Sequence, residues 1–290
     1  TTEVPVFIEH KGPKMSYAPR PLGNEVFFRN SSLLFETGIN EWNPKPSELD
    51  GMISLFPVPE PSALPFDPFA ASFYLLSRYE EYLPHIKDKH ERFAAESSVA
   101  YKAHFLQRPV VDEWALQIKE ILSEAFPEFQ WPDRTFTFIN TIDVDNAYSY
   151  TGKGLMRGMG GFIRAMTQLN GREIIERISV LLGLRPDPYD TFPYLKSIQE
   201  KYKVPTIYFF LLADYGLNDK NVPYTNPRFR RLIKGIADYA QIGIHPSYGS
   251  NKKKKRLADE VQRLGGITHR EITKSRQHFL KLTIPETYRN

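Results

Sequence analysis

Two aspartates, Asp143 and Asp145, stand at the end of an apolar, β-branched run, FTFINTIDVDNAY, over residues 136–148. Side chains two residues apart in an extended segment point to the same side, so the two carboxylates are expected to face one place. Such a pair raises the pKa of one member or recruits a cation. Beside a metal ion, one carboxylate can serve as a ligand and the other as a general base toward water. The structural alternative is that Asp145 and the asparagine after it form a turn.

Two histidines and an arginine follow later in the chain. His245 comes directly after the apolar run QIGI, and Arg276 and His278 alternate in SRQHF. Neutral imidazole is a good zinc ligand when its second nitrogen is held by a carbonyl or a carboxylate. Taken alone, His245 is equally typical of a hydrogen-bonded loop histidine, and His278 is more typical of a hydrogen-bonded interior histidine. Ser247 and Ser250 either orient the site or cap the next helix.

The elements that would position these residues alternate between strand and helix. The patterns predict strands over residues 135–142, 205–212 and 240–244, and helices over residues 191–202, 227–239 and 252–264. Asn226 is the predicted cap of the second of these helices, with Pro227 at its first position. This alternation is typical of a parallel α/β fold, in which functional groups gather at the carboxyl ends of the strands. The two aspartates follow the first strand, Asp214 follows the second and His245 ends the third. Arg276 lies in a last strand-like piece, so we expect these groups to meet.

The first part of the chain has a different pattern. Prolines and aromatic residues punctuate short apolar runs there, which predicts short strands and loops. A helix capped by Asp67 is predicted to run as far as Pro84, and a second helix is predicted to begin with Asp112 as its cap. We therefore expect a smaller α+β domain over residues 1–132 and an α/β domain over residues 133–290.

The glycine-rich segment 151–161, TGKGLMRGMGG, lacks the residue order of a phosphate-binding loop. A mobile lid or a substrate loop is the interpretation that we favour. The pattern predicts a long helix over residues 162–182 directly after it.

Composition excludes several kinds of site. The 290 residues include no cysteine, so a metal must be held by His, Asp or Glu rather than by thiolate. A net charge of +4 is mild and does not suggest a nucleic-acid partner, and the basic run over residues 252–256 is interpreted as a solvated face. The apolar runs are much shorter than the about 20 residues of a membrane span, and the start TTEVPVF has no signal-peptide pattern. We expect a cytoplasmic protein, with association with the cell envelope as the alternative.

Three motifs together resemble the polysaccharide deacetylases of the NodB-homology superfamily: TIDVDNA, then IGIHPSYGS about 100 residues later, then SRQHF. The segments PFDPFAASFYLLSRYEEYLP and RPVVDEWA are similar to a bacterial subgroup that carries an extra N-terminal domain. The resemblance implies an irregular (β/α) barrel, a divalent metal, usually zinc, and hydrolysis of N- or O-acetyl groups on an oligo- or polysaccharide. It also implies that the barrel is incomplete at the C-terminus, with further motifs in sequence beyond it.

The motif positions imply roles for individual residues. Asp143 matches the catalytic base, and Arg276 matches the arginine that orients this base. Asp145 and His245 match metal ligands. The loop after His245 contains the expected substrate-binding residues, which are Ser247, Tyr248 and Ser250.

The sequence departs from the family pattern at two places. Val144 separates the two aspartates, and Gly249 stands where the second metal-ligating histidine is usual. Two protein ligands do not complete a zinc site. A third is expected from His278, with Ser250 or a later residue as the alternative.

Three other functions are alternatives. A non-catalytic carbohydrate-binding homologue would keep the fold and lose the metal, in line with the absent second histidine. A D-x-D phosphatase would use Asp143 as nucleophile and Asp145 as acid, but it leaves His245 without a role. A glycosyltransferase would hold a metal-bound nucleotide sugar with the two aspartates, although the sequence offers no diphosphate site.

Overall fold

The computed structural model describes residues 1–154, 160, 166–168 and 171–289. The chain divides into two compact units, Thr1–Arg134 and Thr135–Asn290, and this division lies two residues beyond the predicted boundary. Each unit has a hydrophobic core of its own. Most of the predicted loop over 151–161, and the first part of the helix predicted over 162–182, lie outside the described residues.

The N-terminal unit combines short strands with helices. In chain order its elements are α1 (Val4–Glu9), β1 (Met15–Ala18), β2 (Val26–Arg29), β3 (Ser47–Leu49), β4 (Met52–Ser54), α2 (Pro68–Leu76), α3 (Val99–Lys102) and α4 (Val110–Ala125). Strands β1 and β2 pair in parallel, and β3 pairs with β4 in antiparallel fashion. Because these two-stranded sheets are too small to enclose a core by themselves, helices α2 and α4 pack against them.

Helix α2 begins where the sequence predicts. Asp67 accepts hydrogen bonds from the backbone amides of Phe69 and Ala70 at its N-terminus. The helix ends at Leu76 and does not reach Pro84, because Arg78 adopts a left-handed conformation with φ of 56°. A conformation of this kind cannot continue an α-helix.

Helix α4 begins earlier than predicted. Its first residue is Val110, so Asp112 lies in the first turn and does not cap the helix. An acidic side chain in the first turn still interacts favourably with the helix dipole. Trp114 of this helix is fully buried and donates its indole N–H to the carbonyl of Ile53 at 2.7 Å, which ties α4 to β4.

The C-terminal unit alternates between strand and helix. In chain order its elements are β5 (Asn140–Val144), α5 (Gly171–Leu181), α6 (Phe192–Tyr202), β6 (Thr206–Phe210), α7 (Pro227–Ala237), β7 (Gln241–Ile244), α8 (Lys254–Thr268) and α9 (Glu286–Arg289). Strands β5, β6 and β7 form a parallel sheet in that order. Parallel neighbours require crossover connections, which include α7 between β6 and β7.

Strand β5 lies later in the chain than the predicted 135–142. It pairs with β6 from Asn140 to Val144, and the residues before it are exposed, with Phe136 at 92%. Val144 is buried, so the side chains on either side of it project away from the core. Asp143 therefore lies within the strand, and Asp145 comes directly after its last residue.

The last strand-like piece pairs with β7 through a single parallel bridge between Ile244 and Ser275. The amide of Ile244 donates to the carbonyl of Lys274, and the amide of Arg276 donates to the carbonyl of Ile244. Gly243 permits this close approach, since a Cβ atom there would lie 2.7 Å from the Lys274 carbonyl oxygen. The segment that carries Arg276 thus runs beside β7.

The described part of the C-terminal unit therefore contains a three-stranded parallel sheet with one further bridge, and the (β/α) barrel stays a prediction. Among the described residues, none of the helices combines the length and the apolar character that a membrane crossing requires.

Candidate metal centre

Asp145, His245 and His278 lie together beyond the carboxyl ends of the strands. Nε2 of His245 is 3.1 Å from Oδ1 of Asp145, and Nε2 of His278 is 3.7 Å from the same oxygen. One potential ligand atom from each residue lies within 4.8 Å of the other two. Both histidines are buried and Asp145 is exposed. The structure thus brings together the three residues that the sequence suggested as metal ligands.

Parallel pairing explains why the three side chains meet. Asp145 follows β5 and His245 follows β7, and the carboxyl ends of parallel strands lie at one edge of the sheet. The backbone amide of His245 donates to the carbonyl of Phe210, the last residue of β6. His278 arrives from a later segment, where its own amide donates to the carbonyl of Pro246.

The other ring nitrogen of each histidine already has a partner. Nδ1 of His245 is hydrogen-bonded to the carbonyl oxygen of Arg276. Nδ1 of His278 lies 3.1 Å from Oδ1 of Asp219. A carbonyl and an ionised carboxylate only accept hydrogen bonds, so each Nδ1 carries a proton and each neutral ring has its lone pair on Nε2.

This tautomer has a chemical consequence, because both Nε2 atoms lie near a carboxylate. Neutral rings would leave three acceptor atoms facing one another, so a second proton on at least one ring or a shared cation would relieve the repulsion between them. A hydrogen bond from His245 in its doubly protonated form, together with the charge of a protonated His278, lowers the pKa of Asp145 and favours the ionised carboxylate.

The spacing of the cluster fits a metal ion. Ligand atoms around a tetrahedral zinc ion, with bonds of about 2.0–2.1 Å, are roughly 3.3–3.4 Å apart. The separations of 3.1 and 3.7 Å from Asp145 Oδ1 lie on either side of this value. Two imidazole nitrogens and one carboxylate oxygen are also a donor set that zinc accepts, with a further position left for water or substrate.

Asp143 and Arg276 lie beside this cluster. Nε of Arg276 is 3.6 Å from Oδ2 of Asp143, and its Nη1 donates to Oγ1 of Thr141 at 2.8 Å. Thr141 and Asp143 are both exposed along β5. Because the carbonyl of Arg276 also holds His245, this one residue contacts the predicted base through its side chain and a predicted ligand through its main chain.

A cavity of about 490 Å³ opens next to the two aspartates. Its lining includes residues 142–146 and, from the segment before and within α6, Pro188, Tyr189, Thr191, Phe192 and Leu195. Asp143 and Asp145 therefore face a space that is large enough for a small polar group. Tyr189 and Phe192 are the aromatic residues in its lining.

Asp219 is a functional candidate that sequence reasoning missed. It is 6% exposed and accepts hydrogen bonds from the amides of Tyr248 and Gly249 as well as from His278. Burial by itself raises the pKa of Asp219, but the hydrogen bonds from His278 and the two amides lower it overall. In this loop, the sequence pattern indicated the acidic residue directly after the predicted strand, which is Asp214 and not Asp219. Asp214 pairs with Arg263 at 2.9 Å.

Ser247 and Ser250 lie in the interior of the loop that follows His245. Both are buried. The amide of Ser250 donates to Oγ of Ser247, and Oγ of Ser250 donates to the Ser247 carbonyl. The amide of Ser247 donates to Oε2 of Glu260 in α8. The two serines therefore support the loop from inside, and their contact with a substrate stays a prediction.

Tyr248 is half-buried in the same loop. Its ring meets Phe279 edge to face, and the ammonium group of Lys281 lies 4.1 Å from the ring centroid. Contact between Tyr248 and a substrate stays a prediction.

Comparison with known proteins adds information on the N-terminal unit. Residues 1–127 are similar to a family of unknown function, DUF7033. The comparisons with curated proteins and with solved structures found no match. The matched residues include none of the candidate metal centre, so the function has to be argued from the centre itself.

Proposed function

We propose that the C-terminal unit is a metal-dependent hydrolase that removes acetyl groups from an oligo- or polysaccharide. The observation that carries the metal site is the arrangement of three acceptor atoms, Oδ1 of Asp145 and Nε2 of His245 and His278. The resemblance of TIDVDNA, IGIHPSYGS and SRQHF to polysaccharide deacetylases supports the acetylated carbohydrate as the partner. We propose that nucleic acid is not a partner of this protein.

Asp145, His245 and His278 would hold the ion, and zinc is a divalent metal that accepts their nitrogen and oxygen donors. When bound, the ion supplies Lewis acidity toward an acetyl carbonyl and makes water easier to deprotonate. The carbonyl of Arg276 and the carboxylate of Asp219 hold the two rings with Nε2 available.

Asp143 is the proposed base. Its carboxylate accepts a proton from the attacking water, and the guanidinium group of Arg276, 3.6 Å away, orients it. Water adds to the acetyl carbon, and the bond from this carbon to the sugar nitrogen or oxygen breaks. The leaving atom takes up a proton, so the products are acetate and a free amino or hydroxyl group.

Acetate release from acetylated oligosaccharides tests this proposal, with the full chain stripped by a chelator and then supplied with zinc. Asp143→Asn preserves shape and removes the base, so we expect the rate to fall by about 10²–10⁴-fold while zinc binding is retained. Asp145→Asn should weaken zinc binding as well.

Asp214→Asn is the matched control. Asp214 follows β6 but pairs with Arg263 outside the cluster, so this variant should keep the wild-type rate. Full activity in Asp143→Asn would refute the assignment of the base. A wild-type chain that binds no zinc, nickel or cobalt, and gains no activity from them, would support the non-catalytic carbohydrate-binding alternative.

A further inference from the structure

We propose that Asp219 is a positioning residue that makes His278 the third ligand of the metal centre, in place of the histidine that is absent at position 249. This inference rests on the proposed metal centre and concerns the way in which this chain completes it.

Asp219 connects the two segments that carry the histidines. Its Oδ1 accepts the amide of Tyr248 at 2.8 Å and lies 3.1 Å from Nδ1 of His278, while its Oδ2 accepts the amide of Gly249 at 3.2 Å. Tyr248 and Gly249 belong to the loop that begins at His245. One buried carboxylate therefore holds the loop after the first histidine and the ring of the second.

Position 249 contributes its backbone amide to this anchoring. A Cβ atom at Gly249 would lie 3.7 Å from Oδ2 of Asp219 and 2.2 Å from a guanidinium nitrogen of Arg256. A side chain there would start between these two groups. The imidazole that the centre needs comes instead from His278, on a separate segment.

The contact with Asp219 also decides which nitrogen of His278 is available. A carboxylate next to Nδ1 favours the tautomer with the proton on Nδ1, which leaves Nε2 unprotonated on the side of Asp145. Loss of this acceptor would allow the other neutral tautomer, in which a proton occupies Nε2. It would also release the ring from its fixed orientation.

Asp187 supplies a matched control because it is a buried aspartate with a similar set of backbone donors. It is 5% exposed and accepts the amides of Ser149, Tyr150, Thr151 and Tyr189. None of its hydrogen-bond partners in the described part of the chain is a histidine. Asp187→Asn and Asp219→Asn therefore each remove one buried charge, but only Asp219→Asn alters a contact with His278.

The test uses the full chain with ¹⁵N-labelled histidine, first without metal and then titrated with zinc against a competing chelator. At a pH where the rings are neutral, nitrogen chemical shifts report the tautomer of His278. We expect the proton on Nδ1 in the wild type and in Asp187→Asn, and a substantial Nε2–H population in Asp219→Asn. Zinc affinity should fall about 10–100-fold in Asp219→Asn and stay unchanged in Asp187→Asn.

Several results would overturn the proposal. These are wild-type zinc affinity in Asp219→Asn, an equal loss in Asp187→Asn, or Nε2–H as the main tautomer of His278 in the wild type. The last measurement needs no variant, so it decides the matter even if Asp219→Asn fails to fold. A wild type that binds zinc normally while Asp219→Asn is unaffected would refute the role of Asp219 alone, whereas a wild type that binds no metal would refute the proposed function.

Discussion

Glu260 is a second buried carboxyl group beneath the loop that follows His245. Its Oε2 accepts the amide of Ser247 at 2.9 Å, and its Oε1 has no hydrogen-bond partner among the described residues. Burial raises the pKa of Glu260, and the negative charge of Asp219 raises it further. Two carboxyl groups thus hold the loop, and their pKa values are shifted in opposite directions, since hydrogen bonds lower the pKa of Asp219.

The raised pKa of Glu260 predicts how stability depends on pH. A carboxyl group whose folded-state pKa lies above the unfolded value of 4.5 contributes stability that is present below that value. This stability is lost as pH rises through the folded-state pKa. Glu260→Gln keeps an acceptor for the Ser247 amide and cannot ionise. We therefore expect the variant to gain stability relative to the wild type as the pH rises above 4.5, measured by urea unfolding at a series of pH values.

Glu271→Gln provides the control for this experiment, since Glu271 is exposed. The difference in unfolding free energy between Glu271→Gln and the wild type should change little with pH. A difference between Glu260→Gln and the wild type that is the same at every pH would contradict the assignment of a raised pKa to Glu260.

At the scale of elements, the contact between β7 and the segment of Arg276 depends on a glycine. A Cβ atom at Gly243 would lie 2.6 Å from the ring of Phe209 and 2.7 Å from the carbonyl oxygen of Lys274. Because one of these neighbours is backbone, the segment itself would have to move. The guanidinium group near Asp143 and the carbonyl that holds His245 both belong to that segment.

Gly243→Ala should therefore destabilise the protein by about 1–3 kcal/mol, as overpacking does, and should also weaken zinc binding. Chemical unfolding and zinc competition measure the two effects. Gly235→Ala in α7 is the matched control, because nothing lies within 4 Å of a Cβ atom there. Alanine is the better helix former, so we expect this variant to be more stable by about 0.5–1 kcal/mol. Equal stability of the two variants would show that the close approach at Gly243 is unimportant.

At the scale of the whole molecule, the two units have separate cores, and the candidate ligands all lie in the C-terminal one. The three tryptophans, Trp42, Trp114 and Trp131, all lie in the N-terminal unit. Tryptophan fluorescence therefore follows the unfolding of the N-terminal unit, whereas far-ultraviolet circular dichroism follows both units.

This distribution predicts the effect of zinc on thermal unfolding. A ligand at 100 times its Kd stabilises the state that binds it by about 2.7 kcal/mol. Zinc should thus shift the unfolding of the C-terminal unit, as seen by circular dichroism, to higher temperature. Asp145→Asn should abolish the shift. A shift that survives in Asp145→Asn, or no shift with zinc in the wild type, would argue against a site made by the three proposed ligands.

The sequence by itself determined the features that depend on neighbouring residues. Helix α7 begins at Pro227 as predicted, because Asn226 accepts the amides of Arg228 and Phe229, and capping needs only residues within one turn. The strand–helix alternation of the C-terminal unit also follows from local periodicity. Residue type, position after apolar runs and the resemblance to polysaccharide deacetylases singled out the aspartates and histidines that could hold a metal.

Tertiary structure decided the features that depend on distant contacts. The pairing of β5 with β6 set where the strand begins, and thereby placed Asp143 inside it. Packing of α8 buried Ser247 and Ser250, so that these serines support the loop. The contact of Asp219 with His278 joins residues 59 positions apart in the sequence. A local sequence pattern contains no information on which residues so far apart will meet. Only the folding of the chain brings this carboxylate to the ring of His278, which is the proposed third ligand.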